Sequence, residues 1–82
     1  MSTTKVSNKN YNHALTLGND LIYLEKYEKA IKCYDEIIKI NPNCSEAYYN
    51  KGIALYNLNR KDEVLKCYDK IIEINPNYSD AY

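Results

Sequence analysis

Apolar residues recur along most of the chain at steps of three and four, which is the spacing of one face of an α-helix. In one stretch, Ala30, Tyr34 and Ile37 fall on a single helical face, and Ile31 and Ile38 widen that face. A face of this breadth can contact two neighbouring helices. No stretch alternates apolar and polar residues as a half-buried strand would. The pattern therefore predicts an all-α fold.

The ends of the helices are marked by proline and by capping residues. Asn41–Pro42 and Asn75–Pro76 each end a helix, because the residue before a proline is disfavoured in the α conformation and proline has no N–H to donate. Ser45 and Ser79 follow, each before an acidic residue, and are candidate N-caps. The predicted helices span roughly residues 9–24, 27–40, 45–58 and 61–74.

An internal repeat with an offset of 34 residues organises the chain. Residues 32–43 return as 66–77 with ten of twelve positions identical, and Gly18 returns as Gly52. A repeat of this length indicates a stack of helical hairpins. The predicted units are a disordered polar segment at 1–10, a first repeat at 11–44, a second repeat at 45–78 and the start of a third at 79–82. The first segment is expected to be disordered because it has no apolar anchors.

The 34-residue unit resembles the tetratricopeptide repeat, whose pattern combines bulky, small, aromatic and proline positions. Counted from Tyr11, the positions hold Ala14, Leu17, Gly18, Leu21, Ala30, Tyr34, Ile37 and Pro42. Counted from Ser45, they hold Tyr48, Lys51, Gly52, Leu55, Val64, Tyr68, Ile71 and Pro76. The main departures are Lys51 in place of leucine, Ala14 in place of an aromatic residue and Val64 in place of alanine. The resemblance implies antiparallel helix-turn-helix pairs, stacked as a short right-handed α-solenoid.

Both glycines and the repeated tyrosine have a packing explanation. We expect Gly18 and Gly52 to lie where the first helix of each unit crosses the second, opposite the small residues Ala30 and Val64. Tyr34 should supply a large buried ring with its hydroxyl at the edge of the core. These residues are therefore predicted to build the fold, with no catalytic or ligand-binding role.

Composition excludes several classes of function. Eleven basic and eleven acidic residues cancel, so no overall charge attracts nucleic acid or a lipid surface. No apolar run has the length of a signal peptide or membrane span, and we expect a cytoplasmic protein. Cys33, Cys44 and Cys67 have no disulfide or metal-ligand spacing, and His13 stands alone. We predict no cofactor, no metal and no enzymatic activity.

In the tetratricopeptide family, a peptide or protein partner binds the concave face of the first helices. The resemblance implies a groove lined by Asn12, Leu15, Thr16, Asn19, Ile22, Tyr23, Glu46, Tyr49, Asn50, Ile53, Tyr56 and Asn57. We expect Asn19, Tyr49, Asn50 and Ile53 to form its centre. Some relatives clamp a dicarboxylate with lysines, but Leu15 and Asp80 occupy two of those lysine positions here. Chaperone-tail binding is therefore not expected.

Two other functions compete with binding in this groove. A face of the last helix formed by Leu65, Tyr68 and Ile72 would be left open for a further repeat, which favours self-association as a weak homodimer. Helical repeats of similar length also bind RNA, but that function needs basic residues. The groove positions hold no lysine or arginine, so RNA binding ranks last.

Overall fold

Four α-helices make up the described part of the chain. The computed structural model describes the backbone of residues 2–75 and the side chains of residues 12–75. The helices are α1 (Ser2–Tyr23), α2 (Tyr27–Ile40), α3 (Ser45–Asn57) and α4 (Lys61–Ile74). Each helix packs against the next, and α1 also contacts α3. Two antiparallel hairpins are thus stacked, and the prediction of an all-α fold is confirmed.

The helix boundaries agree with the predicted ones to within one residue except at the start of α1, and the N-cap of α3 differs from the predicted residue. Helix α1 begins at Ser2, whereas the sequence predicted a start near residue 9 after a disordered segment at 1–10. Residues 2–10 contain no glycine or proline, so nothing in their backbone interrupts the helix. Ser45 is the first helical residue and not the N-cap, which is Cys44, without a capping side-chain hydrogen bond. The predicted third repeat at 79–82 lies outside the described residues.

Helix α2 ends at the first Asn-Pro pair, as predicted. Asn41 has an extended backbone, with φ of −136° and ψ of 92°. Its side-chain oxygen accepts a hydrogen bond from the backbone N–H of Asn43 at 3.1 Å. This bond is an Asx-type turn, which competes with continuation of a helix. The chain therefore reverses direction here and enters α3.

Within each hairpin the helices are joined by a turn with a left-handed residue. Glu25, with φ of 62°, follows α1, and its N–H donates to the carbonyl of Ile22 at 2.9 Å. The N–H of Lys26 donates to the carbonyl of Leu21 at 2.7 Å. These two bonds form a Schellman motif, which satisfies carbonyls at the end of a helix. Asn59, with φ of 66°, occupies the same position after α3.

The core lies between the helices of each hairpin and continues across the junction between them. The largest fully buried side chains are Tyr34, Ile37, Leu55 and Ile71. They come from α2, α3 and α4 at positions that the helical periodicity of the sequence placed on the inner faces. The hydrophobic face predicted for the stretch around Tyr34 is therefore a core face.

The helix crossing in each repeat brings glycine against a tyrosine ring. A Cβ atom on Gly18 would lie 2.6 Å from Cε1 and 2.7 Å from Cζ of Tyr34. On Gly52 it would lie 3.4 Å from Cε1 of Tyr68. The nearest side chain to Gly18 is therefore Tyr34 and not Ala30, the residue that the sequence placed opposite it.

Residues at equivalent positions of the two repeats differ in burial, and these differences locate the junction between the repeats. Ala54 on α3 is fully buried, while Asp20, its counterpart on α1, is exposed. Ile31 on α2 is 8% exposed, while Leu65, its counterpart on α4, is 62% exposed. The packing of α2 against α3 accounts for both differences. The outer surface of α1 thus corresponds to the surface that α3 buries at the junction, and the outer surface of α4 corresponds to the surface that α2 buries there. The junction itself occurs once within the described residues.

Candidate functional site

The candidate site is the face of α1 and α3 that holds the predicted groove residues, here called the inner groove. Helices α1 and α3, which carry the two sets of residues, are in contact. Several of the predicted residues are exposed: Asn12, Thr16, Asn19, Tyr23, Glu46, Tyr49, Tyr56 and Asn57. Ile22, Asn50 and Ile53 are half-buried. The inner groove thus combines exposed amides and tyrosines with partly buried aliphatic side chains.

Leu15 does not belong to the accessible surface of the groove. It is 7% exposed and is part of the hydrophobic core. The leucine side chain is wholly apolar, so its burial stabilises the folded chain more than its exposure to solvent would. Ile22 also packs partly against the core. The prediction that Leu15 lines the groove was therefore wrong, and the apolar contribution to the accessible groove comes mainly from α3.

Two other groove residues bond to their own helix. The hydroxyl of Thr16 donates to the backbone carbonyl of Asn12 at 3.0 Å. The amide nitrogen of Asn57 donates to the carbonyl of Ile53 at 2.8 Å. A bond of this kind, to the residue four positions earlier, is common for short polar side chains within helices. A ligand would have to displace these bonds to use the same donor atoms.

Asn19 joins the groove to the core. It accepts a hydrogen bond of 2.6 Å from the hydroxyl of Tyr34, through its side-chain oxygen. The pKa of Tyr34 is raised because its hydroxyl is buried, and further because Cys33 and Glu46 add negative charge nearby. The hydroxyl therefore stays protonated and remains a donor. Asn19 is exposed, so its amide NH₂ group is the part of this pair that a ligand can reach.

One groove tyrosine, Tyr49, packs against a tyrosine of α4. Tyr49 is 41% exposed, and its ring lies 6.3 Å from the ring of Tyr68 between centroids, with 31° between the planes. Tyr68 is half-buried and also lies over Gly52. Its ring is thus placed beside α3, at the groove. Of the other residues predicted for self-association, Leu65 is exposed and Ile72 is half-buried.

An ion pair across the repeat junction was missed in the sequence. The ammonium group of Lys51 on α3 lies 2.6 Å from a carboxylate oxygen of Asp35 on α2. The available signal was Lys51 itself, because it stands where the tetratricopeptide pattern has leucine. Lys51 was interpreted only as a departure from that pattern. Two further ion pairs, Glu36–Lys39 and Lys70–Glu73, each join residues three positions apart on one helix, at 3.9 and 3.0 Å.

The three cysteines of the described part of the chain, Cys33, Cys44 and Cys67, are free thiols. Burial raises the pKa of Cys33 and of Cys67, so both favour the neutral, less reactive form. Within the described ranges, no group of three or more histidine, cysteine, aspartate or glutamate residues is placed to hold a metal ion. No helix there is long and apolar enough to cross a membrane.

Stacked helical hairpins with an exposed inner face define the class of helical-repeat proteins. Comparison with protein families narrows this class. The family described as TPR repeat matches residues 18–59, and the family described as Tetratricopeptide repeat matches residues 45–78. The chain therefore belongs to the tetratricopeptide repeat family, whose members generally mediate protein–protein interactions and are typically non-catalytic scaffolds. A comparison with curated proteins gives no match.

Proposed function

We propose that this chain binds an extended segment of a partner protein in the inner groove. The proposal rests on the contact between α1 and α3. It rests also on the exposure of Asn19 and Tyr49 and the partial exposure of Asn50 and Ile53 on these helices. Tyrosine offers a large contact area at a low cost in conformational entropy, and exposed amides can pair with a peptide backbone. An extended segment needs both kinds of contact along its length.

The charge of the groove limits the partner. Glu46 is the one charged residue among the twelve predicted groove residues. Its negative charge contributes to the raised pKa of the Tyr34 hydroxyl, which bonds to Asn19. A carboxylate at this place favours a lysine or arginine in the bound segment and disfavours an acidic one. The partner segment is therefore neutral to basic at the position that faces Glu46.

Selection from a random-peptide display library tests this function without requiring a named partner. We expect selected peptides to lose at least about tenfold in affinity when Tyr49→Ala or Asn50→Ala is introduced, the loss typical of central contact residues. Lys32→Ala, an exposed position on α2, is the control and should leave affinity unchanged. Peptides that bind with the same affinity to all three variants would contradict the proposal.

A second function, self-association, is supported by one observation. Leu65 is 62% exposed, although its counterpart Ile31 is 8% exposed at the junction between the repeats. The same kind of surface that holds the two hairpins together is thus open to solvent on α4. A second copy of the chain could cover it. The oligomeric state of the chain near millimolar concentration tests this function.

A further inference from the structure

A second concavity lies between α3 and α4 and is separate from the inner groove. Its volume is about 360 Å³, and Tyr48, Lys51 and Leu55 of α3 form one of its walls. At about 3.6 residues per turn, these three residues share one face of α3. Tyr49 and Ile53, in the inner groove, lie on the opposite face. The cavity is therefore a distinct surface, here called the outer cavity.

Three lysines line the outer cavity. They are Lys51 on α3, with Lys66 and Lys70 on α4. The ammonium group of Lys51 is shared with Asp35, and that of Lys70 lies 3.0 Å from a carboxylate oxygen of Glu73. Both pairs are partly or largely exposed, and exposed pairs exchange partners at little cost. These ammonium groups can therefore turn toward a ligand.

The other charges leave the cavity positive. Glu63 is the one carboxylate in the lining, and Arg60 binds it through two hydrogen bonds of 2.7 and 2.9 Å. That bond, together with the positive charges nearby, lowers the pKa of Glu63 and keeps it ionised. Lys66 has no ion-pair partner within residues 12–75. An anion in the cavity would thus meet one uncommitted ammonium group and two that can be redirected.

The remaining lining residues are apolar or only weakly polar. Tyr48 is half-buried, and Leu55 and Cys67 are buried at 0% and 5% exposure. Small-molecule sites commonly combine such an apolar floor with a few convergent polar groups, in volumes of about 300–1,000 Å³. The cavity therefore offers space for an organic group next to its positive charges.

The chemistry of the outer cavity is particular to the second repeat. The positions in the first repeat that correspond to Tyr48, Lys51 and Lys70 hold Ala14, Leu17 and Glu36. Two cations are thus replaced, one by an aliphatic side chain and one by an acid, and the aromatic ring is absent. The combination does not follow from the repeat pattern, so the fold alone does not account for it.

We propose that the outer cavity binds a phosphate monoester, with the phosphate at Lys51, Lys66 and Lys70 and the organic group against Tyr48 and Leu55. Lysine recognises phosphate as a compact point charge, and three lysines line this cavity. A phosphate monoester carries about 1.5 to 2 negative charges at pH 7, more than the single charge of a carboxylate. The ester can belong to a phosphorylated side chain of a protein or to a free small molecule. Both present the same group to the cavity.

Titration of phenyl phosphate into the isotope-labelled chain, followed by NMR, tests the proposal. We expect saturable shifts of the backbone amides of Lys66 and Cys67, weaker binding of inorganic phosphate and no shift with phenol. Lys66→Gln should weaken phenyl phosphate binding about threefold or more, because it removes the uncommitted cation. Lys32→Gln, at the equivalent position of the first repeat, is the matched control and should bind as the unmodified chain does.

Two further measurements distinguish the source of the ester. If a phosphotyrosine peptide binds more tightly than phenyl phosphate, the ligand is a phosphorylated protein. If the peptide binds more weakly, the ligand is a free small molecule. Either ligand should slow alkylation of Cys67 and leave Cys33, its counterpart in the first repeat, unaffected. Equal binding of phenyl phosphate and phenol, or an equal loss in Lys66→Gln and Lys32→Gln, would overturn the proposal.

Discussion

Tyr34 shows how a single residue serves both the core and the groove. Its ring is fully buried against Gly18, and its hydroxyl donates to Asn19 at the groove. Burial raises the pKa of the hydroxyl. The hydroxyl therefore remains a hydrogen-bond donor to Asn19 at neutral pH.

Tyr34→Phe should lower stability in a pH-dependent way. At pH 7 we expect a cost of about 0.5–1.5 kcal/mol for the lost hydrogen bond to Asn19. Above about pH 10 the unfolded chain releases the Tyr34 proton while the folded chain keeps it, so the unmodified protein loses up to about 1.4 kcal/mol per pH unit from this group. The variant lacks this loss. Urea unfolding at pH 7 and at about pH 11 should show the difference between the two proteins shrinking.

A comparison with Tyr56→Phe isolates the effect of burial. Tyr56 is 64% exposed, so Tyr56→Phe removes a tyrosine hydroxyl that is not buried in the core. All other tyrosines, lysines and cysteines are common to these proteins, so their titration cancels in the comparison. A difference between Tyr34→Phe and the unmodified chain that stays constant with pH would contradict the assigned pKa direction.

In the connection between α1 and α2, Glu25 has the backbone conformation of highest free energy. Its φ of 62° is in the left-handed region, which costs an ordinary L-residue about 1–2 kcal/mol. Glu25→Gly should therefore stabilise the protein by about 0.5–1 kcal/mol after the greater entropy of unfolded glycine is deducted. Asn59→Gly is the matched substitution, and it should stabilise less because asparagine tolerates this conformation. Thermal unfolding of both variants measures the difference, and a destabilised Glu25→Gly variant would contradict it.

At the scale of helix pairs, the two repeats differ in how tightly their helices cross. Gly18→Ala would place a methyl group 2.6 Å from the fully buried ring of Tyr34, which can move only if its neighbours move. We expect overpacking to cost about 1–3 kcal/mol, and the gain in helix propensity of about 1 kcal/mol offsets part of this cost. Gly52→Ala meets Tyr68 at 3.4 Å, close to ordinary contact. The gain of about 1 kcal/mol in helix propensity should make that variant neutral or slightly more stable.

Chemical denaturation of the two alanine variants compares these crossings directly. The same substitution in the same structural position isolates the contact with the tyrosine ring, because helix propensity and exposure change alike. Equal destabilisation in both repeats would mean that the crossings are equally tight, contrary to the distances at Gly18 and Gly52.

Sequence periodicity and repeat length were sufficient to predict the helices and their pairing. Both depend on local features, namely the spacing of apolar residues and the Asn-Pro stops, which act within a few positions. Contacts between the repeats were harder to predict from the sequence. The burial of Leu15 and the Lys51–Asp35 ion pair arise only when α2 packs against α3 and α1 against both. The repeat pattern treats these positions as equivalent in the two units, although their neighbours differ.

For the whole molecule, the two outer surfaces decide how copies can associate. A head-to-tail stack would place α1 of one copy against α4 of another, repeating the internal junction. Asp20 would then occupy the position at which Ala54 is fully buried. Burial of a carboxylate without a partner is costly. Head-to-tail growth is therefore disfavoured, which favours association through α4 of both copies about a two-fold axis.

This dimer should be weak. Full burial of a leucine or isoleucine side chain contributes about 1.5–3 kcal/mol, and Leu65 is the one predicted contact residue that is largely exposed on α4. Two copies of Leu65 and of the half-buried Ile72 offset at most the lower part of the roughly 4–15 kcal/mol that association costs in entropy. We therefore expect mainly monomer at micromolar concentration and dimer only near millimolar concentration.

Leu65→Glu and Leu17→Glu distinguish the arrangements by sedimentation equilibrium. Leu65 is on α4, and Leu17, which is 46% exposed, is on the outer surface of α1. Glutamate at position 65 should abolish the dimer, because two like charges would face each other across the two-fold axis. Glutamate at position 17 should leave it intact, since α1 takes no part. If both substitutions weaken association equally, copies stack head to tail. A chain that stays monomeric near millimolar concentration would exclude self-association and leave the exposed face of α4 for a different partner.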